Sequence, residues 1–156
     1  MMTNIRIRPV GSGDWAQFET LVAGICNFHG DTHGLTRAQF DDFATRENAP
    51  VTVMVAETEE KALVGFIAGF AIYSFQEGRA NFEIQNLFVA EDFRRQRIGE
   101  ILMINIMQFA RRRHGPVTFR LGALNWNAAA LEFYKQFGFA PNPKAQDTTI
   151  LIKQTA

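Results

Sequence analysis

The sequence has little of three things that would place it in a specialised class of protein. Its single cysteine, Cys26, excludes an internal disulfide and indicates a reducing compartment, where we expect an inert, buried thiol. Its formal net charge is zero, so no overall basic field favours nucleic acid. It has no apolar run of membrane-spanning length, and its first residues are too polar for a secretory signal. We therefore expect a cytoplasmic protein with no nucleic-acid partner and no membrane partner.

The chain has enough apolar residues for one compact core. It contains 156 residues, of which 47% are hydrophobic, and its 15 phenylalanines indicate an aromatic-rich interior. A chain of this length most simply forms a single domain, over residues 1–156. No internal repeat, linker or low-complexity tract divides it.

Hydrophobic periodicity predicts strands and helices in a definite order. Three successive strands with no helix between them indicate an antiparallel meander, in which Gly65 and Gly69 mark bulges. The whole order predicts an α+β fold, with a mixed, mostly antiparallel central sheet flanked by helices. The expected strands are 5–9, 51–57, 62–73, 80–89, 117–123 and 148–153, and the expected helices are 14–28, 36–46, 98–114 and 128–137.

Two helix starts carry the same capping pattern. Asp14 is followed by Gln17, and Thr36 is followed by Gln39. In a capping box the first side chain accepts a hydrogen bond from the backbone three residues on, and the second side chain reaches back. The pattern therefore predicts a capping box at the start of each helix.

A basic turn lies between the last strand of the meander and the next helix. The segment from Phe93 to Gly99 reads FRRQRIG, and a turn at this place exposes backbone N–H groups at the positive end of a helix. Such a loop can hold a pyrophosphate, with Arg94, Arg95 and Arg97 adding formal charge. An ordinary basic loop that caps a helix explains the same residues equally well.

The segment from Asn127 to Phe139, NAAALEFYKQFGF, holds the other informative pattern. It begins with Asn127 as an N-cap and carries Tyr134 about two helical turns later on the same face. Gly138 then ends the helix, because a residue without Cβ enters the left-handed conformation at no steric cost. Two such segments in this order indicate a nucleotide-like cofactor site.

Together the two segments resemble the GNAT superfamily of N-acetyltransferases, whose members move the acetyl group of acetyl-CoA to an amine. The loop pattern of that superfamily, Arg/Gln-x-x-Gly-x-Gly/Ala, maps onto residues 94–99. The strand end before the loop is most similar to the diamine acetyltransferase-like subgroup. The downstream pattern, Asn-x-x-Ala-x-x-Phe-Tyr-x-x-x-Gly-Phe, is met by Asn127, Ala130, Phe133, Tyr134, Gly138 and Phe139.

The resemblance implies an acyl-CoA N-acyltransferase (GNAT) fold in which the fourth and fifth strands splay apart. The pantetheine arm of acetyl-CoA inserts between those strands in the superfamily, so the backbone of Leu87, Phe88 and Val89 should pair with it. The amide of Phe88 or Val89 should polarise the thioester carbonyl. Asn127 should contact the pantetheine or the neighbouring backbone. The other donor-binding positions that the resemblance implies are Arg94, Arg95, Gln96, Arg97, Ile98, Gly99, Glu100, Ala130 and Tyr134.

The resemblance also implies the two residues that move protons. Tyr134 would protonate the departing thiolate, since a phenol with a pKa of about 10 keeps its proton at neutral pH. Glu83 would take the proton of the amine, directly or through water, because histone-type relatives have their Glu at this place. The alternatives are a helix Tyr packed beside Phe133 and Phe137, and a surface Glu on a paired strand.

This chain departs from the superfamily patterns at two places. Arg97 replaces the first motif glycine, and a side chain there costs about 1–2 kcal/mol if the position needs a positive φ. Diamine-type enzymes have acidic residues where this chain has Gln85 and Asn86. Glu83 is expected to share one face of its strand with Gln85, because side chains alternate with a period of two.

We expect an N-acetyltransferase that uses acetyl-CoA, needs no metal and forms a homodimer. The acceptor is a primary amine, such as a small polyamine or an amino acid, that attacks directly in a ternary complex. The alternatives are a non-catalytic acyl-CoA-binding sensor or partner-binding module, and acetylation of a protein N-terminus.

The loop with His29, Asp31 and His33 is a weak metal candidate. Asp31 with Asp41 and Asp42 would attract a cationic amine, although a solvated loop explains these acids as well.

Overall fold

The structure, a computed structural model, describes residues 3–155. The chain forms two compact units, one ending at Gly122 and the other beginning at Ala123. The single domain over residues 1–156 stays a prediction. None of the helices in the described range has the length and apolar character needed to cross a bilayer.

Among the described residues, the first unit contains five strands and three α-helices. In chain order they are β1 (Ile5–Pro9), α1 (Trp15–His29), α2 (Arg37–Thr45), β2 (Thr52–Thr58), β3 (Leu63–Ser74), β4 (Arg79–Val89), α3 (Ile98–His114) and β5 (Thr118–Leu121). The strands form one sheet in the order β1–β2–β3–β4–β5. Neighbours are antiparallel except β4 and β5, which are parallel. The mixed, mostly antiparallel α+β fold is therefore confirmed.

Different helices cover the two faces of the sheet. On one face, the α1 face, Phe18 of α1 meets Phe66 of β3 and Phe40 of α2 with ring centroids 5.0 and 5.3 Å apart. On the opposite face, the α3 face, Leu102 and Ile106 of α3 are fully buried. The core is rich in aromatic rings on the α1 face, as the composition predicted.

Only one of the two predicted capping boxes forms. Thr36 and Gln39 bond reciprocally at the start of α2, so that box is confirmed. The box at Asp14 is wrong, because the Asp14 side chain makes no cap bond to α1. Asp14 instead accepts hydrogen bonds from Arg8, while Gln17 binds the backbone of β3. A stronger, charged partner on β1 thus competes successfully for the carboxylate.

Arg8 joins β1, β2 and the turn before α1 through two carboxylates. Its Nη1 lies 2.7 Å from Oδ2 of Asp14, and its Nη2 lies 2.6 Å from Oε2 of Glu57. The backbone N–H of Gly11 adds a third bond to Asp14 at 2.8 Å. Hydrogen bonds from the guanidinium hold the pKa of Asp14 and of Glu57 below their ordinary values. Both acids are nearly buried, so this cluster depends on their staying charged.

The ladder between β3 and β4 contains a bulge beside Gly69. Asn86 and Ile84 lie opposite consecutive residues of β3, so Gln85 is the extra residue. A Cβ on Gly69 would lie 2.6 Å from the carbonyl oxygen of Glu83, which leaves no room for a side chain. The bulge predicted at Gly69 is confirmed, and it lies directly beside the residue expected to act as the base.

The second unit contains one helix, α4 (Ala128–Gln136), followed by a 3-10 turn at Pro143–Asp147. The strand predicted over residues 148–153 is wrong, because that segment has no regular secondary structure. Ile150, Leu151 and Ile152 are 87%, 87% and 85% exposed. The prediction rested on β-branched and apolar composition, which favours a strand only where a neighbouring strand supplies the ladder.

Candidate active site

The strands β4 and β5 pair over four residues and then β4 continues alone. The parallel ladder runs from Asn81 opposite Thr118 to Ile84 opposite Leu121. β4 extends to Val89, so its last five residues, 85–89, have no paired strand on the β5 side within residues 3–155. We call this stretch the open edge. It realises the splayed fourth and fifth strands that the resemblance implied.

Backbone polar groups alternate along the open edge. The N–H of Ala90 donates to the carbonyl of Val64 on β3 at 2.8 Å. Because the peptide between Val89 and Ala90 is trans, the Val89 carbonyl points the opposite way, to the open edge. Leu87 shares that direction by the period of two. The Phe88 carbonyl faces β3, where it lies 2.8 Å from a Cβ built on Gly65. The open edge thus presents the amides of Leu87 and Val89.

The Phe88 side chain lies on the α1 face rather than in the open edge. Its ring touches α1 at Gly24, where a Cβ would come within 2.6 Å of Cζ. The guanidinium of Arg94 lies over the same ring at 5.7 Å, and Nε of Arg94 donates to the Val89 carbonyl at 2.9 Å. Arg94 therefore stabilises the end of β4, and its cation is already engaged.

The loop before α3 has the backbone form of an anion-binding nest. Arg95 and Arg97 have φ of 61° and 63°, the left-handed region that favours glycine. Alternating left-handed residues turn successive N–H groups toward one side. No side chain caps α3, so the N–H groups of Ile98, Gly99 and Glu100 lack intrahelical acceptors. These residues fit a diphosphate.

The side chains of the loop are mostly bound within the protein. Arg97 donates to Glu100 at 2.7 and 2.8 Å, which raises the pKa of Arg97 and lowers the pKa of Glu100. Gln96 accepts from the Thr3 hydroxyl at 3.0 Å. Among the residues that the structure describes, Arg95 alone of the three loop arginines has no hydrogen bond or ion pair. Arg95 is therefore the cation that remains available to a ligand.

Glu83 lies on the α1 face of β4. It is opposite Phe70, which shares a face of β3 with Phe66 by the period of two. The expected alignment of Glu83 with Gln85 is wrong, because the bulge interrupts the alternation and puts Asn86 on the face of Glu83 instead. The local sequence shows Gly69 as a bulge position but does not show which residue of β4 is extra.

Arg120 of β5 lies beside Glu83, and no local sequence pattern identifies it as a functional residue. The two residues are opposite each other in the parallel ladder, with 3.9 Å between Nε and Oε2. The Glu83 side chain is 34% exposed and that of Arg120 is 55% exposed. The register between β4 and β5 is set across a whole helix, so local pattern could not pair these residues. The alternation within β5 was the one available signal.

In the second unit, the helix α4 holds Asn127 and Tyr134 in defined positions. The Asn127 side chain accepts from the N–H of Ala130 at 3.1 Å, so its N-cap role is confirmed. Gly138 has φ of 86°, and the N–H of Phe139 bonds the Tyr134 carbonyl at 3.2 Å, which completes a Schellman motif.

The Tyr134 ring packs against its helix and the chain that follows it. Its centroid lies 5.4 Å from that of Phe133 and 6.1 Å from that of Phe139. Burial raises the pKa of the Tyr134 phenol above its ordinary value. A phenol in this setting holds its proton at neutral pH and is chemically suited to donate it.

The acids expected near the acceptor are mostly paired with nearby cations. Asp41 bonds Arg37, and Asp42 bonds Arg46, each within α2. Asp31 is exposed in the loop after α1. In residues 3–155 no three His, Cys, Asp or Glu side chains gather as a metal site requires. The contribution of these acids to acceptor binding stays a prediction.

His33 lies 3.6 Å from Glu19 of α1, and its Nδ1 is buried without a hydrogen bond among the described residues. The pairing fixes one side of the loop that contains the HGDTH segment. This segment of the loop is therefore held against α1 through His33.

The chain resembles known acetyltransferases in sequence. The sequence profile of the acetyltransferase (GNAT) family matches residues 15–139. The chain is 32% identical over 82 residues to the thialysine N-epsilon-acetyltransferase of Sus scrofa. The aligned segment covers 53% of this chain and 47% of that protein. It is 34% identical over 100 residues to the streptothricin acetyltransferase of Streptomyces lavendulae. That alignment covers 64% of this chain and 50% of the relative. The chain thus spans about half the length of these two relatives.

A solved structure supports the same fold. The crystal structure of a probable acetyltransferase superposes with a TM-score of 0.80 at 21% identity, and covers 96% of this chain and 99% of that one. At this identity the likeness concerns the fold alone. The family profile covers most of the chain, from α1 to the residue after Gly138. This protein belongs to the acetyltransferase (GNAT) family.

Proposed function

We propose that this protein transfers the acetyl group of acetyl-CoA to a primary amine, by direct attack in a ternary complex. The observation that carries the proposal is the open edge of β4, which leads into an uncapped helix start. One unit therefore contains both a strand edge to which the pantetheine arm would pair and a loop where the diphosphate would bind. The family membership and the two named acetyltransferase relatives support the reaction class.

The donor would bind to backbone groups first. The diphosphate would accept from the N–H groups of residues 95–100, with Arg95 supplying a free positive charge. The pantetheine arm would pair with Leu87 and Val89, whose amides face the open edge. The Val89 N–H, rather than that of Phe88, has the direction needed to stabilise the developing oxyanion. Asn127 and Ala130 stay predicted donor contacts in the second unit.

Glu83 would remove a proton from the acceptor. An ammonium must lose a proton before its nitrogen can form the new bond to the acetyl carbon. The Glu83 carboxylate lies on β4 before the open edge and is partly exposed, so an amine or a bridging water can reach it. As the C–S bond breaks, the sulfur needs a proton, which we assign to the Tyr134 hydroxyl. The products are an N-acetyl amine and CoA with a free thiol.

Donor binding can be tested separately from turnover. We expect acetyl-CoA to raise the melting temperature and to give heat in calorimetry. Arg95→Ala should weaken binding by roughly tenfold, the loss of one charge-assisted contact. Arg111→Ala removes an exposed cation in the last turn of α3, the end opposite the nest, and serves as the matched control. No binding at millimolar acetyl-CoA would overturn the proposal.

The second candidate is an acyl-CoA-binding sensor or partner-binding module without catalysis. It is favoured by Arg97 in place of a glycine and by Gln85 and Asn86 in place of acids. Acetyl-CoA binding without CoA release across a broad panel of amines would support it. Steady CoA release with any amine, small or at a protein N-terminus, would exclude it. The homodimer and the cytoplasmic location stay predictions.

A further inference from the structure

Arg120 is a cation with unused hydrogen-bond donors beside the proposed base. Its Nε is 3.9 Å from Oε2 of Glu83, which is too long for a hydrogen bond. Among the described residues Arg120 has no other ion pair and no hydrogen bond. Arg79, the next cation on this face, is already engaged with Glu77 and with the Thr118 hydroxyl.

We propose that Arg120 determines acceptor specificity by binding a carboxylate of the acceptor, so that the substrate is an amino acid rather than a simple polyamine. This inference rests on the proposed function and on Glu83 as the base. A guanidinium presents paired N–H donors that match a carboxylate in two parallel hydrogen bonds. It lies over half exposed, so a substrate carboxylate can reach it without breaking an existing hydrogen bond.

The charges of the pair complement an amino acid. Glu83 offers a negative charge to the acceptor amine, and Arg120 offers a positive charge to its carboxylate. Glu83 and Arg120 are paired across the parallel ladder, and both side chains lie on the α1 face of the sheet. A diamine would bring a second ammonium near Arg120, where like charges repel. The arrangement therefore selects for an acceptor that carries both signs of charge.

A second polar group on the same face is left without a partner. Asn81 precedes Glu83 by two residues, so its side chain is about 6.8 Å away along the same face of the strand. It is 8% exposed, and its Oδ1 has no hydrogen bond within residues 3–155. A buried oxygen of this kind calls for a donor. Because this oxygen is buried, it lies out of reach of an acceptor at the surface, and carboxylate recognition rests on Arg120.

Lysine and 1,5-diaminopentane form the test pair, since they differ only in the carboxylate. We would measure kcat and KM for both acceptors at saturating acetyl-CoA. The natural chain should use lysine roughly 10- to 100-fold more efficiently, the range expected for charge-assisted hydrogen bonds. Arg120→Gln should remove that preference through the KM of lysine, and should leave or improve the efficiency with the diamine. Arg120→Lys should restore part of it, because the charge remains and the paired donors are lost.

Arg79→Gln is the matched control, a cation of the same face that is engaged elsewhere, and it should preserve the preference. The ratio of kcat/KM for lysine to kcat/KM for the diamine reports carboxylate binding. A general effect on Glu83 would change kcat/KM for both acceptors equally and leave the ratio unchanged. The inference is overturned if Arg120→Gln lowers kcat/KM equally for both acceptors, or if the natural chain shows no preference for lysine. Arg120 would then serve only as the ion-pair partner of Glu83.

Failure of the proposed function gives a different result. If no amine is acetylated although acetyl-CoA binds, lysine is titrated into the CoA complex by calorimetry. Lysine binding that Arg120→Gln abolishes would support carboxylate recognition without catalysis. Absence of lysine binding to the natural chain would overturn it.

Discussion

At the scale of single residues, the loop before α3 shows how an unfavoured conformation is retained. Arg97 has φ of 63° at a position where the superfamily pattern has glycine. Its side chain bonds Glu100 at 2.7 and 2.8 Å, but both groups are on the surface, where water screens such pairs and they add little stability. The left-handed conformation costs about 1–2 kcal/mol for a residue with a Cβ. The ion pair therefore offsets only part of the strain.

Arg97→Gly should leave the protein as stable as before, or up to about 1 kcal/mol more stable, because relief of strain exceeds the lost ion pair. The same substitution at Arg111, in the last turn of the same helix, should destabilise by about 1 kcal/mol through helix propensity. Urea unfolding of both variants measures the difference. Equal destabilisation of the two would contradict the strain argument.

Tyr134→Phe should lower turnover by roughly 100-fold, the usual contribution of a positioned acid, and leave acetyl-CoA affinity unchanged. Phenylalanine keeps the ring contacts with Phe133 and Phe139, so the helix should be preserved. A general acid acts only while it is protonated, and burial raises the pKa of Tyr134. Its contribution should therefore be lost only as pH rises past about 10.

The ratio of natural to variant turnover should accordingly be constant between about pH 7 and 9, below the ordinary pKa of a tyrosine. Pre-steady-state and steady-state rates across this range measure it. A ratio near unity would remove Tyr134 from the mechanism, and a ratio that falls within this range would assign the acid to another group.

At the scale of secondary-structure elements, the bulge in β4 decides which side chains accompany Glu83. Gly69→Ala would bring a methyl group to 2.6 Å from the Glu83 carbonyl oxygen and 2.5 Å from a ring carbon of Phe82. We expect a loss of about 1–3 kcal/mol, as in overpacked cores, and a lower kcat because β4 shifts beside the base. Gly34→Ala, where a Cβ meets nothing within 4 Å, is the control and should be neutral. Thermal unfolding and turnover of both variants give the comparison.

Local patterns predicted the elements well where the signal lies within a few residues. The meander, the α2 capping box and the bulge positions at Gly65 and Gly69 all appear in the structure. Features that depend on distant partners were missed. The capping box at Asp14 loses to Arg8 of β1, and the pairing of Glu83 with Arg120 depends on a register set across α3. A period-two pattern fixes which face a side chain takes, but it does not distinguish registers that differ by two residues.

At the scale of the whole molecule, the cluster of Arg8, Asp14 and Glu57 makes stability depend on pH. Both acids have a lowered pKa in the folded state, so their contribution is complete above their unfolded values of about 4. It is lost as pH falls through those values toward the folded ones. The free energy of unfolding should therefore decline steeply below about pH 5.

Asp14→Asn should destabilise the protein at pH 7 by about 2 kcal/mol, since a charged hydrogen bond to Arg8 is lost, and should flatten the decline toward low pH. Urea unfolding at a series of pH values measures both effects. Asp41→Asn removes an exposed acid paired within α2 and is the control. If the free energy of unfolding of the Asp14 variant falls with pH as steeply as that of the natural chain, other acids control the acid sensitivity.

The contacts of Thr3 have a practical consequence for anyone who produces this protein. Thr3 bonds Gln96 through its hydroxyl at 3.0 Å and its backbone N–H at 3.4 Å, so the first described residue is fastened to the loop that would receive the diphosphate. A purification tag fused just ahead of it would crowd that loop and could be mistaken for weak donor affinity. Residues 148–155 have no regular secondary structure, and a tag joined through them leaves the contacts of Thr3 unchanged.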